Sequence, residues 1–119
     1  MGIEIDITTR LRSARKQAGL AMDPTVAIRE DHQRWLELSV PLAEDAPGFQ
    51  EICGLNSRCT GVEFRDDDGA LSLHAFHLVS EHSSVDDDEL LFLCVQLREA
   101  LDTYAEVRGI DAAEVLLGE

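Results

Sequence analysis

A chain of 119 residues, 45% hydrophobic and 29% charged, has room for one modest core and does not have the composition of a disordered tail. Its longest apolar runs, such as residues 90–95, fall far short of the roughly 20 residues that cross a bilayer. The net charge of −14 opposes any role that rests on neutralising phosphates, so neither nucleic acid nor an anionic membrane is expected as a partner.

The charge is unevenly placed. Residues 1–22 carry Arg10, Arg12, Arg15 and Lys16 against Glu4 and Asp6, a balance of +2, whereas residues 23–119 hold six basic and 22 acidic side chains, a balance of −16. A body charged in this way stays dispersed and attracts basic partners; a well-solvated surface without any message has the same composition. Three cysteines leave one unpaired in any disulfide scheme, which fits buried free thiols in a reducing cytoplasm. The N-terminal MGIEIDITTRLRS lacks the basic start and apolar block of a secretory signal. The expected organisation is a single domain over 1–119: a basic N-terminal helix within 1–22, an α+β core over 23–109, and a short closing helix or tail over 110–119.

In chain order, residues 8–19 read as a helix. Thr8 or Thr9 caps it, Ile7, Leu11, Ala14 and Ala18 recur at helical spacing, and Gly19 stops it. The phrase LRSARKQAGL also resembles the first helix of many helix-turn-helix repressors. Asp23-Pro24 and a strand-like run stand where the second helix belongs, and the charge of the chain opposes DNA binding.

Residues 26–29 and 35–42 read as a hairpin around Glu30-Asp31-His32-Gln33. Leu36, Leu38, Val40 and Leu42 take one face, Trp35, Glu37 and Ser39 the other, and Pro41 closes the strand or marks an edge. Ala46-Pro47-Gly48 breaks the chain, and residues 49–57 fit a short helix with Phe49, Ile52, Cys53 and Leu55 or Asn56 near one stripe. A second hairpin follows. Val62 and Phe64 alternate with Glu63 and Arg65. Beyond Asp66-Asp67-Asp68-Gly69 come Leu71, Leu73, Ala75, His77 and Val79 on one face, with Ser72, His74, Phe76 and Leu78 opposite. Residues 85–108 form the longest helical pattern, striped by Leu90, Leu93, Cys94, Leu97, Leu101 and Tyr104 or Ala105 and ended by Gly109. Asp111 and Glu114 are spaced as a capping box for a short last helix. The fold class is α+β, in the order α-ββ-α-ββ-α, with helices packed on an antiparallel sheet.

Two aspartate triplets punctuate this layout. Asp66–Asp68 falls at a hairpin tip and Asp86–Asp88 at a helix start, where short carboxylates suit turn dihedrals and unpaired N–H groups respectively. Neither offers the ligand register of a calcium loop, so no metal site is assigned. His74 and His77 point to opposite faces of one strand and cannot easily share an ion, and His82 lies in the linker beyond. Cys53 and Cys94 sit on apolar stripes as core filling, and Cys59 is the accessible thiol. No catalytic residue and no cofactor is read from any motif.

The stretch from residue 35 to 108 resembles the class I type III secretion chaperones and the related YbjN family. The residues that carry the likeness are WLELSVPL, the Leu55-Asn56 pair of the short helix, TGVEFRDDDG with its hairpin partner ALSLHAFHLV, and DDDELLFLCVQLREALDTYAEV. The N-terminal hairpin is shorter than that family's usual three strands. The resemblance implies a small acidic homodimer, not an enzyme, that holds a segment of another protein. It places Phe49, Ile52, Val62 and Phe64 at the dimer interface. It makes the first helix, through Leu11, and the sheet face of Trp35, Phe76 and Leu78 partner-facing. Trp35, the single tryptophan, falls on the less apolar face of its strand, as Phe76 and Leu78 do. Two arrangements stay open: that face serves recognition, or the first helix covers it and buries all three. The alternative function is an acidic inhibitor or decoy, such as an immunity, anti-CRISPR or DNA-mimic protein, aimed at a basic target. A small enzyme calls for His74 or His77 beside a carboxylate in a closed pocket.

Overall fold

Alternating leucines decide the architecture. Leu36, Leu38 and Val40 of one strand and Leu71, Leu73 and Ala75 of another point to a common side, and none of them is more than 1% exposed. The computed structural model describes residues 2–79 and 85–111, with side chains from residue 6 onward. Its elements are α1 (Gly2–Ala18), β1 (Thr25–Asp31), β2 (Gln33–Asp45), α2 (Phe49–Arg58), β3 (Val62–Asp67), β4 (Ala70–Val79) and α3 (Asp87–Arg108). The strands form one antiparallel sheet in the order β1-β2-β4-β3, so the fold is α+β with helices packed on a sheet.

Helices α1 and α3 lie against each other and bury the leucine face. Their stripes follow the 3.6-residue period: Ile7, Leu11, Ala14 and Ala18 from α1, and Leu90, Leu93, Leu97 and Leu101 from α3. Arg10 joins the two, donating to the Asp87 carboxylate at 2.8 Å and to the Val85 carbonyl at 2.6 Å. Asp86 caps α3 in a reciprocal box, accepting from the Glu89 N–H at 2.8 Å while the Glu89 carboxylate accepts from the Asp86 N–H at 2.9 Å. Gly19 and Gly109 end α1 and α3 at φ 77° and 71°, and in each case the following N–H reaches back five residues, Leu20 to Arg15 and Ile110 to Ala105. The second triplet is therefore a helix start. The first is a turn: Asp68 and Gly69 take φ 55° and 89°, and Asp66 Oδ1 accepts from the Gly69 N–H at 2.7 Å.

Three boundaries differ from the sequence reading. Helix α1 starts at Gly2, which puts Thr8 and Thr9 inside it; burial of Ile7 and Leu11 against the core outweighs the weak helix propensity of threonine. The first hairpin is tighter than a four-residue loop, because Glu30 and Arg34 pair in the ladder and His32 alone takes the tip at φ 63°. Strand β2 continues through Pro41 to Asp45, with the register shifting between those two residues, so the proline marks an irregularity inside a central strand. The closing helix expected over 110–119 and the linker histidine His82 lie outside the described residues.

Helix α2 shields the outer edge of the sheet with a side chain. Leu55 enters the core, while Asn56 reaches the edge strand β3 and pairs with both backbone groups of Phe64, accepting from its N–H at 2.6 Å and donating to its carbonyl at 3.2 Å. One amide here occupies the place of a neighbouring strand. Asn56→Ala strands both groups and is expected to lower stability by about 1–3 kcal/mol; urea denaturation followed by circular dichroism measures this, and an unchanged midpoint refutes the role.

Candidate functional site

Since the two long helices take the leucine face, the residues of opposite parity form the other face. In register across β1, β2 and β4, Arg29 stands beside Trp35 and Leu78, and Ala27 beside Glu37 and Phe76. The next rows bring Ser39, His74 and Glu63 together, then Pro41, Ser72 and Arg65. The last row is Asp45, Ala70 and Asp67.

A charge lies sealed in the middle of this face. Glu37 is 2% exposed. Its carboxylate accepts a hydrogen bond from Arg29 Nε and pairs with His74 Nδ1 at 2.6 Å, and Arg65 Nη1 approaches it to 3.8 Å. Arg65 also donates to Glu63 at 3.0 Å and lies over the Phe76 ring, 5.1 Å from its centre. His74 stacks on Phe76 with ring centres 6.4 Å apart. Burial pushes the Glu37 carboxyl up, but the hydrogen bonds from Arg29 and His74 and their charges outweigh that and hold it below the ordinary glutamate value.

His74 Nε2 is 2.8 Å from Ser72 Oγ. In neutral His74 the proton sits on Nδ1, facing the carboxylate, and Nε2 accepts from the Ser72 hydroxyl. Ser72, His74 and Glu37 thus share the connectivity of a nucleophile, base and orienting acid. Ser72 is only 6% exposed, however, and Ser72, His74 and Glu37 are not among the residues that line the groove at the end of the sheet. That groove, of about 1000 Å³, lies between the end of β2, α2 and α3, floored by Leu42, Leu55 and Tyr104 and reaching Asp45 and Ala70 at its rim. There Tyr104 donates to Glu44 at 3.1 Å and Arg108 donates to the same carboxylate at 3.2 Å; burial and Glu44 push the Tyr104 hydroxyl up to about 12. The relay of Ser72, His74 and Glu37 satisfies a buried carboxylate, and beside it Arg65 and His74 flank the Phe76 ring.

The structure brings Trp35, Phe76 and Leu78 together. Trp35 and Phe76 are half-buried, and Leu78 is 45% exposed. Leu11 is a correction: it is 1% exposed, because α1 turns its apolar stripe into the leucine face beside α3 rather than toward the opposite face. Of the dimer set, Phe49 is 81% exposed, and Ile52 and Val62 are half-buried. Phe64 is a second correction. Its side chain points from β3 into the core, 5.8 Å from the Tyr104 ring, and is 1% exposed. Cys53 is a third: α2 turns Leu55 rather than Cys53 inward, so Cys53 is exposed and Cys59 half-buried, while Cys94 is buried as its stripe implies. Burial raises the thiols of Cys59 and Cys94, the latter to about 11, which opposes thiolate chemistry at both. His77 pairs with Glu89 at 2.5 Å on the other side of the sheet from His74.

The cluster of Glu37, Arg29, Arg65 and Ser72 escapes sequence reasoning, since each residue alone looks like an ordinary solvent-facing strand position. An acidic residue in the middle of a leucine strand, with an arginine on each outer strand, is the available signal, and it needs the strand order to be read. Comparison with known protein families, with curated proteins and with solved structures finds no match. Among the described residues, no helix is long and apolar enough to cross a membrane, and no three His, Cys, Asp or Glu side chains are grouped to hold a metal ion.

Glu37 links stability to acid. A carboxyl held below its ordinary value of 4.5 in the folded chain contributes stability that is present above that value and is lost as pH falls through the depressed one. Glu37→Gln is therefore expected to cost about 1–3 kcal/mol at pH 7, with the gap from wild type closing below about pH 4. Urea titrations at pH 7, 5 and 3.5 test it; a gap independent of pH contradicts the linkage.

Proposed function

We propose that this chain is a non-catalytic protein-binding module, a small cytoplasmic homodimer of the secretion-chaperone-like or YbjN-like kind. It holds a segment of another protein on the open face of its sheet. One observation carries the reading: Trp35, Phe76 and Leu78 stand side by side, partly exposed, on a face that both long helices leave free, beside the cluster around Glu37. Rigid aromatic groups beside arginine lose little entropy on binding and are the usual anchors of protein interfaces. The sealed position of Ser72 supports binding over hydrolysis.

The second subunit docks on a separate surface. Phe49 on α2 is the most exposed large apolar side chain of the molecule's described part, with Ile52 one turn away and Val62 on the neighbouring edge strand. The inhibitor reading draws on a different observation, the carboxylates of Asp45, Asp67 and Asp68, for which the described residues show no cationic partner. Binding that rests on charge alone falls steeply with salt; binding through the apolar corner does not.

Affinity capture from the native host should return a partner with wild type and lose it with the Phe76→Ala/Leu78→Ser double variant, by at least tenfold when remeasured with purified proteins. Its melting temperature should stay within a few degrees of wild type. A variant that melts places these side chains in the core, and undiminished capture rejects this face. Light scattering should give a dimer that Phe49→Asp converts to a monomer; a wild-type monomer at micromolar concentration removes the dimer from the proposal.

A further inference from the structure

The open face has two unlike ends. Leu78 and Ala70 lie eight residues apart on β4, so the row of Trp35 and Leu78 stands about 26 Å from the row of Asp45, Ala70 and Asp67. Between them the charges are settled, Glu37 by Arg29 and His74, and Glu63 by Arg65. At the far end they are not. Asp45 and Asp67 are exposed and flank the small side chain of Ala70; neither forms a salt bridge among the described residues, and Asp45 and Ala70 also line the rim of the groove that holds Arg58 and Arg108. The face is apolar at one end, neutral in the middle and anionic at the other.

We infer that the segment held here is an amphipathic helix of a cationic partner, with an apolar cluster that seats on Trp35, Phe76 and Leu78 and lysine or arginine side chains about 17 residues away that meet Asp45 and Asp67. The inference rests on the protein-binding reading and names the partner's chemistry. A helix is the element that covers the bare face of a sheet, and 17 residues at about 1.5 Å each span the separation. A second copy of this chain is assigned to the separate surface around Phe49, and its acidic body, −16 over residues 23–119, offers no basic helix to Asp45 and Asp67. The basic helix α1 does not fit either, because its apolar stripe is spent in its own core. The apolar end supplies most of the affinity. The exposed carboxylates add a modest gain and set which way round the helix lies.

Trp35, the single tryptophan, reports on occupancy. Three tryptophan-free helical peptides of 20 residues, identical in a Leu/Phe cluster at one end, carry four Lys, four Gln or four Glu at the other. The Lys peptide should bind most tightly, shift Trp35 emission, and weaken as salt rises. Asp45→Asn/Asp67→Asn should weaken it by about three- to tenfold and leave the Gln peptide unchanged. Equal binding of all three peptides, or indifference to the double substitution, overturns the cationic partner while the binding face stands. Binding that survives Phe76→Ala/Leu78→Ser overturns the face itself. A Glu peptide that binds best reverses the inference.

Discussion

A carboxylate enclosed in a sheet is the constraint from which the rest follows. Taking Glu37 out of water is costly, and the cost is offset by the hydrogen bonds from Arg29 and His74, with Arg65 3.8 Å away. Those three come from β1, β4 and β3, so a single side chain on β2 draws together all four strands. Strand register is fixed by this as well: a slip of one residue sends Glu37 into the leucine face, where no cation waits.

The same cluster divides the molecule into two kinds of surface. On the leucine side, burial is non-directional, and α1 and α3 can trade methylenes without losing the fold. On the open side the central polar positions are tied to one another by directed bonds. Arg65 lies over the ring face of Phe76 and is bonded to Glu63, while His74 stacks on Phe76 from the same strand and is oriented by Glu37. A corner held in this way would lower the ordering cost of the association proposed above.

Much of the fold was legible. The alternation of Leu36, Leu38 and Val40 and of Leu71 and Leu73 gives two strands their buried side, and the stripes of α1 and α3 follow from spacing alone. Both aspartate triplets were readable because their causes are local, a turn and a cap. What escaped reading depends on strand order. Periodicity says that Trp35, Phe76 and Leu78 share parity, but not that β2 and β4 are neighbours or that Glu37 is shut between two arginines. Leu11 and Phe64 were misplaced for a related reason. An apolar stripe shows that a side is buried, without saying whether its own core or another chain buries it. Asn56 is a residue whose role no pattern discloses, since it acts through the backbone of a strand eight residues later.

That amide has a bearing on how the molecule fares when crowded. A bare margin on an antiparallel sheet is a template onto which a second margin can zip, and repetition of that step makes a fibril. By filling the hydrogen-bonding register of β3 at Phe64, Asn56 leaves a prospective strand without its central rung, and the excess of carboxylates holds neighbours apart before they meet. The outer edge of the sheet is thereby guarded against zipping onto the edge of another copy by two unrelated means, one at contact and one at a distance.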